Sequence, residues 1–83
     1  MSQITITFPD ESLASLATTS EEASAELRML AAVKRFELKK LSSGAAARLA
    51  GVSRVAFLER LGDYGVPTFQ QTEEELLDEI RNA

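Results

Sequence analysis

Between Arg28 and Arg60 the chain carries Arg28, Lys34, Arg35, Lys39, Lys40, Arg48, Arg54 and Arg60 against only Glu37 and Glu59, a local balance of +6. The remaining segments hold one basic residue, Arg81, and eleven acidic ones, a balance of −10. The overall charge of −4 therefore hides a basic middle between acidic ends. Guanidinium and ammonium groups gathered this way suit phosphate oxygens. A solvated helix face balanced by the acidic flanks would have the same composition, so both readings stay open. Other chemistry is narrower. There is no Cys and no His, which removes thiol nucleophiles, disulfides and thiolate zinc sites, together with the usual general base near neutral pH. Carboxylates are plentiful, but they fall on segments that read as solvated helices, and Asp78 and Glu79 lack calcium-loop spacing. The expectation is a protein that is not an enzyme and needs no cofactor and no metal.

The elements that must position the basic side chains centre on residues 43–61. Ser43 can cap a short helix in which Ala45, Ala46, Ala47, Leu49 and Ala50 favour helical backbone and permit close approach of a second element. Gly51 stands where the chain must turn through a left-handed conformation. Val52 points back into the angle, Ser53 caps the next helix, and Phe57, Leu58 and Leu61 give that helix an inner face. This order of small residue, glycine, apolar residue, serine and apolar-faced helix is the pattern of a helix-turn-helix. An αα-corner that only packs a core would show the same pattern.

On either side of this unit the pattern changes. Gln3 to Phe8 alternates polar and apolar, which predicts a strand with Ile4, Ile6 and Phe8 on one face, ended by Pro9. A lone strand needs a partner edge, and the same strand of a second copy would supply it as an antiparallel ribbon about a two-fold axis. Pairing with residues 66–69 or with another protein are the alternatives. Asp10 can cap a short helix to Ala17 with Leu13 and Leu16 inward. Thr19 and Glu22 have capping-box spacing before a main helix from about Ser20 to Leu41. One apolar stripe on it runs through Leu27, Leu30, Ala31, Leu38 and Leu41, and a second through Met29, Val33 and Phe36. So broad a face favours a dimer core. Lys34, Arg35, Lys39 and Lys40 gather at its C-terminal end, where the helix dipole also welcomes cations.

After Leu61, Gly65 suits a left-handed cap and Pro67 blocks helix. Thr72 and Glu75 open an acidic tail whose Leu76, Leu77 and Ile80 share one helical side. Such a segment can dock in a partner's groove or pack on its own domain. No apolar run reaches the roughly 18 residues needed to span a bilayer, and Met1 to Thr5 lacks the features of a signal peptide. A cytoplasmic protein without a membrane role is expected. With 83 residues the core is modest. The expected fold is mainly α, with an N-terminal β-strand, a long helix, a helix-turn-helix and a C-terminal amphipathic segment. Residues 1–41 would form the strand-helix dimerisation region, 42–67 the helix-turn-helix, and 68–83 the partner-binding tail.

The opening Ile4-Thr5-Ile6-Thr7-Phe8-Pro9-Asp10-Glu11 resembles that of small prokaryotic antitoxins, ribbon-helix-helix proteins included. The block from Ser42 to Pro67, with Leu49-Ala50-Gly51-Val52-Ser53-Arg54, Phe57-Leu58-Glu59-Arg60-Leu61-Gly62 and the Gly65-Val66-Pro67 exit, is closer still. It is similar to an uncharacterised family of short prokaryotic helix-turn-helix proteins often encoded beside PIN-domain ribonuclease toxins. The resemblance extends over nearly the whole chain. It implies a VapB-type, antitoxin-like homodimer that binds DNA near its own operon and neutralises a cognate PIN-domain toxin through its C-terminal region. Carried onto this sequence, Ser53, Arg54 and Val55 would open the recognition helix at the base edges, with Arg48 and Arg60 at phosphates. Phe69, Leu76, Leu77 and Ile80 would hold the toxin, and Ile4, Ile6 and Phe8 the second copy. A protein-protein adaptor without DNA binding is the alternative of a different class. In a further variant the strand ribbon reads bases through Gln3, Thr5 and Thr7.

Overall fold

Three hydroxyls decide where three of the helices begin. Thr19, Ser42 and Ser53 each accept a hydrogen bond from the backbone amide three residues on, at Glu22 (3.1 Å), Ala45 (3.2 Å) and Ala56 (3.1 Å). Each cap satisfies one of the amides that a helix start leaves without a partner. The structure, a computed structural model, describes residues 2–17 and 19–67. Among these residues four helices follow in order: α1 (Asp10–Leu16), α2 (Ser20–Glu37), α3 (Ser43–Ala50) and α4 (Arg54–Arg60), the last running into a 3-10 turn at Leu61–Tyr64. Thr19 and Ser53 cap as their sequence context predicts. Ser42, not Ser43, caps α3, and the neighbouring hydroxyl is thereby released for another use. Asp10 is the first residue of α1 rather than its cap, following Pro9.

Helix ends are equally uniform. Lys39 and Gly51 take positive φ, 61° and 78°, after α2 and α3, and Gly65 takes 73° after the 3-10 turn. At each, the next residue's amide reaches back five residues: Lys40 to the Arg35 carbonyl (2.8 Å), Val52 to Ala47 (3.0 Å), Val66 to Leu61 (3.1 Å). This left-handed closure takes up carbonyls that the helix end leaves unpaired, and favours an apolar residue just beyond it. Val52 and Val66 fill that role by packing on the core. The long helix stops at Glu37, four residues before the apolar pattern ends, because Lys39 adopts this conformation without being glycine. Leu41 still packs on the core, but from the turn and not from a helical stripe.

The core joins α2 to the α3–α4 unit. Met29, Ala32, Val33 and Phe36 meet Ala46, Ala47, Ala50, Phe57, Leu61 and Val66. Phe57 and Leu61 are fully buried, as their spacing predicts. The Phe36 and Phe57 rings meet edge to face, 5.5 Å apart at 90°, the arrangement their quadrupoles favour. Of the two apolar stripes on α2, the core uses the Met29–Phe36 one. The other stays largely outside, with Leu30 39% and Leu38 52% exposed, since the α3–α4 unit covers one side of α2 and α1 reaches only its beginning. No residue of α1 is buried; Leu13 and Leu16 are half-buried, and Leu13 lines a shallow cavity with Ala23.

The N-terminal ribbon is overturned. Among the described residues there is no strand, and residues 2–9 carry no regular structure. Ile4 is 83% and Ile6 59% exposed, with Phe8 half-buried. Alternation fixes which side chains would share a face once a strand is paired, but supplies no edge to pair with. Val66, the described start of the 66–69 alternative, is instead buried as an apolar closure residue. The dimerisation role of Ile4, Ile6 and Phe8 in a ribbon, and base reading by Gln3, Thr5 and Thr7, fall with the strand.

Adding a methyl group at either Gly51 or Gly65 forces an L side chain into left-handed backbone, at about 1 kcal/mol or more. At Gly51 the new Cβ would also lie 3.3 Å from Arg28 Nη1, whereas at Gly65 nothing lies within 4 Å. In urea denaturation Gly51→Ala is expected to lose more stability than Gly65→Ala. Equal losses would mean that Arg28 yields without cost.

Candidate nucleic-acid interface

Helices α3 and α4 are joined by three residues, Gly51-Val52-Ser53, and the turn is held from behind by an arginine. Arg28 of α2 donates from Nε to the Leu49 carbonyl at 2.7 Å and from Nη2 to the Arg48 carbonyl at 3.4 Å. Both carbonyls belong to the last turn of α3, where acceptors lack helical partners and the dipole favours a cation. The guanidinium also lies over Gly51, leaving little room for a Cβ there. Nothing local in the sequence marks this contact, because 21 residues separate Arg28 from Leu49.

The residues expected at the DNA are distributed as follows. Ser53, Arg54 and Val55 open α4 at the surface, and Val55 is 66% exposed. The Ser53 hydroxyl is engaged as the helix cap. Arg54 reaches back across the turn, and its Nε donates to the Ser43 hydroxyl at 2.7 Å. Ser43 itself is 1% exposed. Arg48 is exposed on α3 with its Nη1 over Gly44. Arg60 is exposed at the far end of α4, where its Nη2 donates to the Tyr64 hydroxyl at 3.4 Å. The fold thus brings Arg54, Ser53 and Val55 together at one end of α4 and leaves Arg60 at the other. Phe69, Leu76, Leu77 and Ile80 lie outside the described residues.

Beyond these, Lys34, Arg35, Lys39 and Lys40 are exposed at and just after the end of α2. Lys34 pairs with Glu37 at 2.8 Å, an exposed i,i+3 contact worth about 0.5 kcal/mol or less. Among the described residues no cluster of acidic side chains is disposed to hold a metal ion, and no helix is long and apolar enough to cross a membrane.

Two contributors escape sequence reasoning. Ser43 could have been noticed as a second hydroxyl beside a helix start that needs only one. The other is Tyr64, whose hydroxyl donates to Glu26 Oε1 at 3.3 Å and so ties the 3-10 turn to α2 across 38 residues. Its phenol is pushed above the ordinary value near 10, first by loss of solvent and then by the Glu26 carboxylate, with Arg60 opposing. The unfolded chain therefore ionises Tyr64 first as pH rises, and the folded state loses stability through that range. Tyr64→Phe removes this contribution. Denaturation from pH 8 to 11 is expected to show a shallower alkaline loss for the variant than for the parent, and parallel curves would contradict the assignment.

No curated protein and no solved structure matches the chain. A family model does match, along the entire sequence, residues 1–83. With a short capped helix, a left-handed glycine turn and a second short helix at its centre, the chain belongs to the uncharacterised protein family UPF0175.

Proposed function

We propose that this protein is a DNA-binding regulator that meets operator DNA with the α3–turn–α4 unit and acts, antitoxin-like, on a cognate PIN-domain ribonuclease toxin. The observation that carries the DNA part is the three-residue Gly51–Ser53 turn with α4 opening onto exposed Arg54 and Val55. Short helices joined by a three- to four-residue glycine turn are the architecture whose second helix enters the major groove. Exposed Arg48 and Arg60 would contact phosphates, and Arg54 a base edge.

Charge supports the same reading. Residues 2–67 hold eight basic and eight acidic side chains, so the whole net charge of −4 resides in 68–83. A neutral helical body with its cations concentrated between Arg28 and Arg60 would hold a polyanion there. The acidic tail, with Phe69, Leu76, Leu77 and Ile80, would meet a basic partner surface. The toxin part of the proposal rests on the resemblance of the 42–67 block. Symmetric operators are met by paired copies, and exposed Leu30 on α2 and Leu38 just after it are apolar surface that a second copy would cover. A cytoplasmic location accompanies this reading.

An adaptor without DNA binding is favoured by one observation, that Arg54 and Arg60 both bond within the chain. Titration of the full chain against the duplex upstream of its own gene separates the two. The DNA reading expects affinity to fall linearly in log–log with salt, and Arg48→Ala to reduce that slope by about 1. Arg54→Ala is expected to lower discrimination between that duplex and a scrambled one by about 1–3 kcal/mol. Absent or salt-insensitive binding would leave the adaptor reading. For the toxin part, co-purification from the native cell is expected to recover a small ribonuclease in stoichiometric amount, and its absence would remove that part alone.

A further inference from the structure

We propose that Val55 and Glu59 are two specificity-determining residues of α4, which read a thymine methyl and a cytosine amino group in the major groove. The inference rests on the DNA reading above. The two residues lie four apart, so they stand one above the other on the same face of the helix. That face is the outer one. Phe57 and Leu61, on the opposite side, are fully buried, whereas Val55 is 66% exposed and Glu59 is exposed. Among the described residues no hydrogen bond or ion pair takes up the Glu59 carboxylate.

The chemistry of this pair is selective. Helices α3 and α4 carry three arginines, Arg48, Arg54 and Arg60, and one carboxylate, Glu59. That balance suits a polyanion, yet a carboxylate turned toward DNA is repelled by phosphate. It is accommodated where it meets a donor, and the cytosine amino group supplies one in the major groove. Adenine also offers an amino group, but its N7 acceptor lies beside it and opposes a carboxylate. Every other base edge is therefore penalised, which is discrimination by repulsion. Val55 has no hydrogen bond to give, and the base-edge feature that complements an apolar side chain is the thymine methyl. An exposed β-branched residue gains neither burial nor helix propensity from its place, so the fold does not account for it. Four residues of helix rise about 6 Å, close to two base-pair steps of ~3.4 Å. With α4 along the groove, the thymine and the cytosine stand about two base pairs apart. Exposed Asp63 in the following 3-10 turn keeps phosphate from that end and bounds the contact.

The test is selection from a random-sequence duplex pool by the full chain, by Val55→Ala and by Glu59→Gln, followed by titration of the enriched duplex. Both side chains are exposed, so neither change disturbs the core. The parent is expected to enrich a thymine and a cytosine about two base pairs apart. Replacing that thymine with uracil removes only the methyl group. It is expected to weaken parent binding about 4-fold and to leave binding by Val55→Ala unchanged. Glu59→Gln is expected to exchange the enriched cytosine for adenine, whose adjacent acceptor and donor suit an amide. A variant that keeps the parent's base preference and uracil response overturns the assignment of its residue, while the DNA reading stands. A parent that binds with steep salt dependence but enriches no sequence overturns both assignments and leaves DNA binding without base readout. Absence of binding to any duplex at low salt overturns the DNA reading and this inference with it.

Discussion

Left-handed backbone at Gly51 turns α4 back over α3, and most of the molecule depends on that reversal. It lets the Val52 amide reach the Ala47 carbonyl and sends the Val52 side chain toward the core. It then puts Ser53 in position to start a new helix. Phe57 is thereby carried under Phe36, and Arg54 is brought within reach of Ser43. Arg28 closes the arrangement from α2 by holding the Arg48 and Leu49 carbonyls near the end of α3. The basic side chains on this unit are thus placed by backbone geometry first and by charge second.

What sequence reasoning could read here was local. Thr19 and Ser53 announce their helices because a hydroxyl before an apolar-periodic run has one obvious use. Gly51 and Gly65 announce turns because other residues resist positive φ. Phe57 and Leu61 follow from helical spacing. The failures have physical causes too. Lys39 ends α2 in a conformation usually left to glycine or asparagine, so the apolar pattern to Leu41 overstates the helix. Two adjacent serines compete for one cap, and only packing decides which is buried. Residues 2–9 have the alternation of a strand, but among the described residues there is no edge for them to join. The broad apolar face of α2 was readable, but which half the core would take depended on how α3 and α4 pack.

Within the candidate interface, the identities of the exposed residues were legible and their attachments were not. Arg28 with Leu49 and Tyr64 with Glu26 join positions 21 and 38 residues apart, and such pairs leave no periodic trace. They matter in combination. Arg28 supports the turn, Ser43 bonds the first arginine of α4, and Tyr64 links the 3-10 turn to α2. Arginines that a composition count treats as one basic block thus divide into those that serve the scaffold and those that face outward.

Every buried apolar residue of α3 is an alanine, Ala46, Ala47 and Ala50, which limits how this protein can move. Alanine has no rotamers to exchange, so α3 cannot repack its own side chains to slide along α2. Relative motion must occur by bending at connections, as in a hinge, rather than by shear across the contact. The connections able to bend are those around Lys39 and Gly51. Of these, the Gly51 joint is tied to α2 by Arg28 and α4 is anchored by buried Phe57, so α3 and α4 present their outward surface to another molecule as one unit.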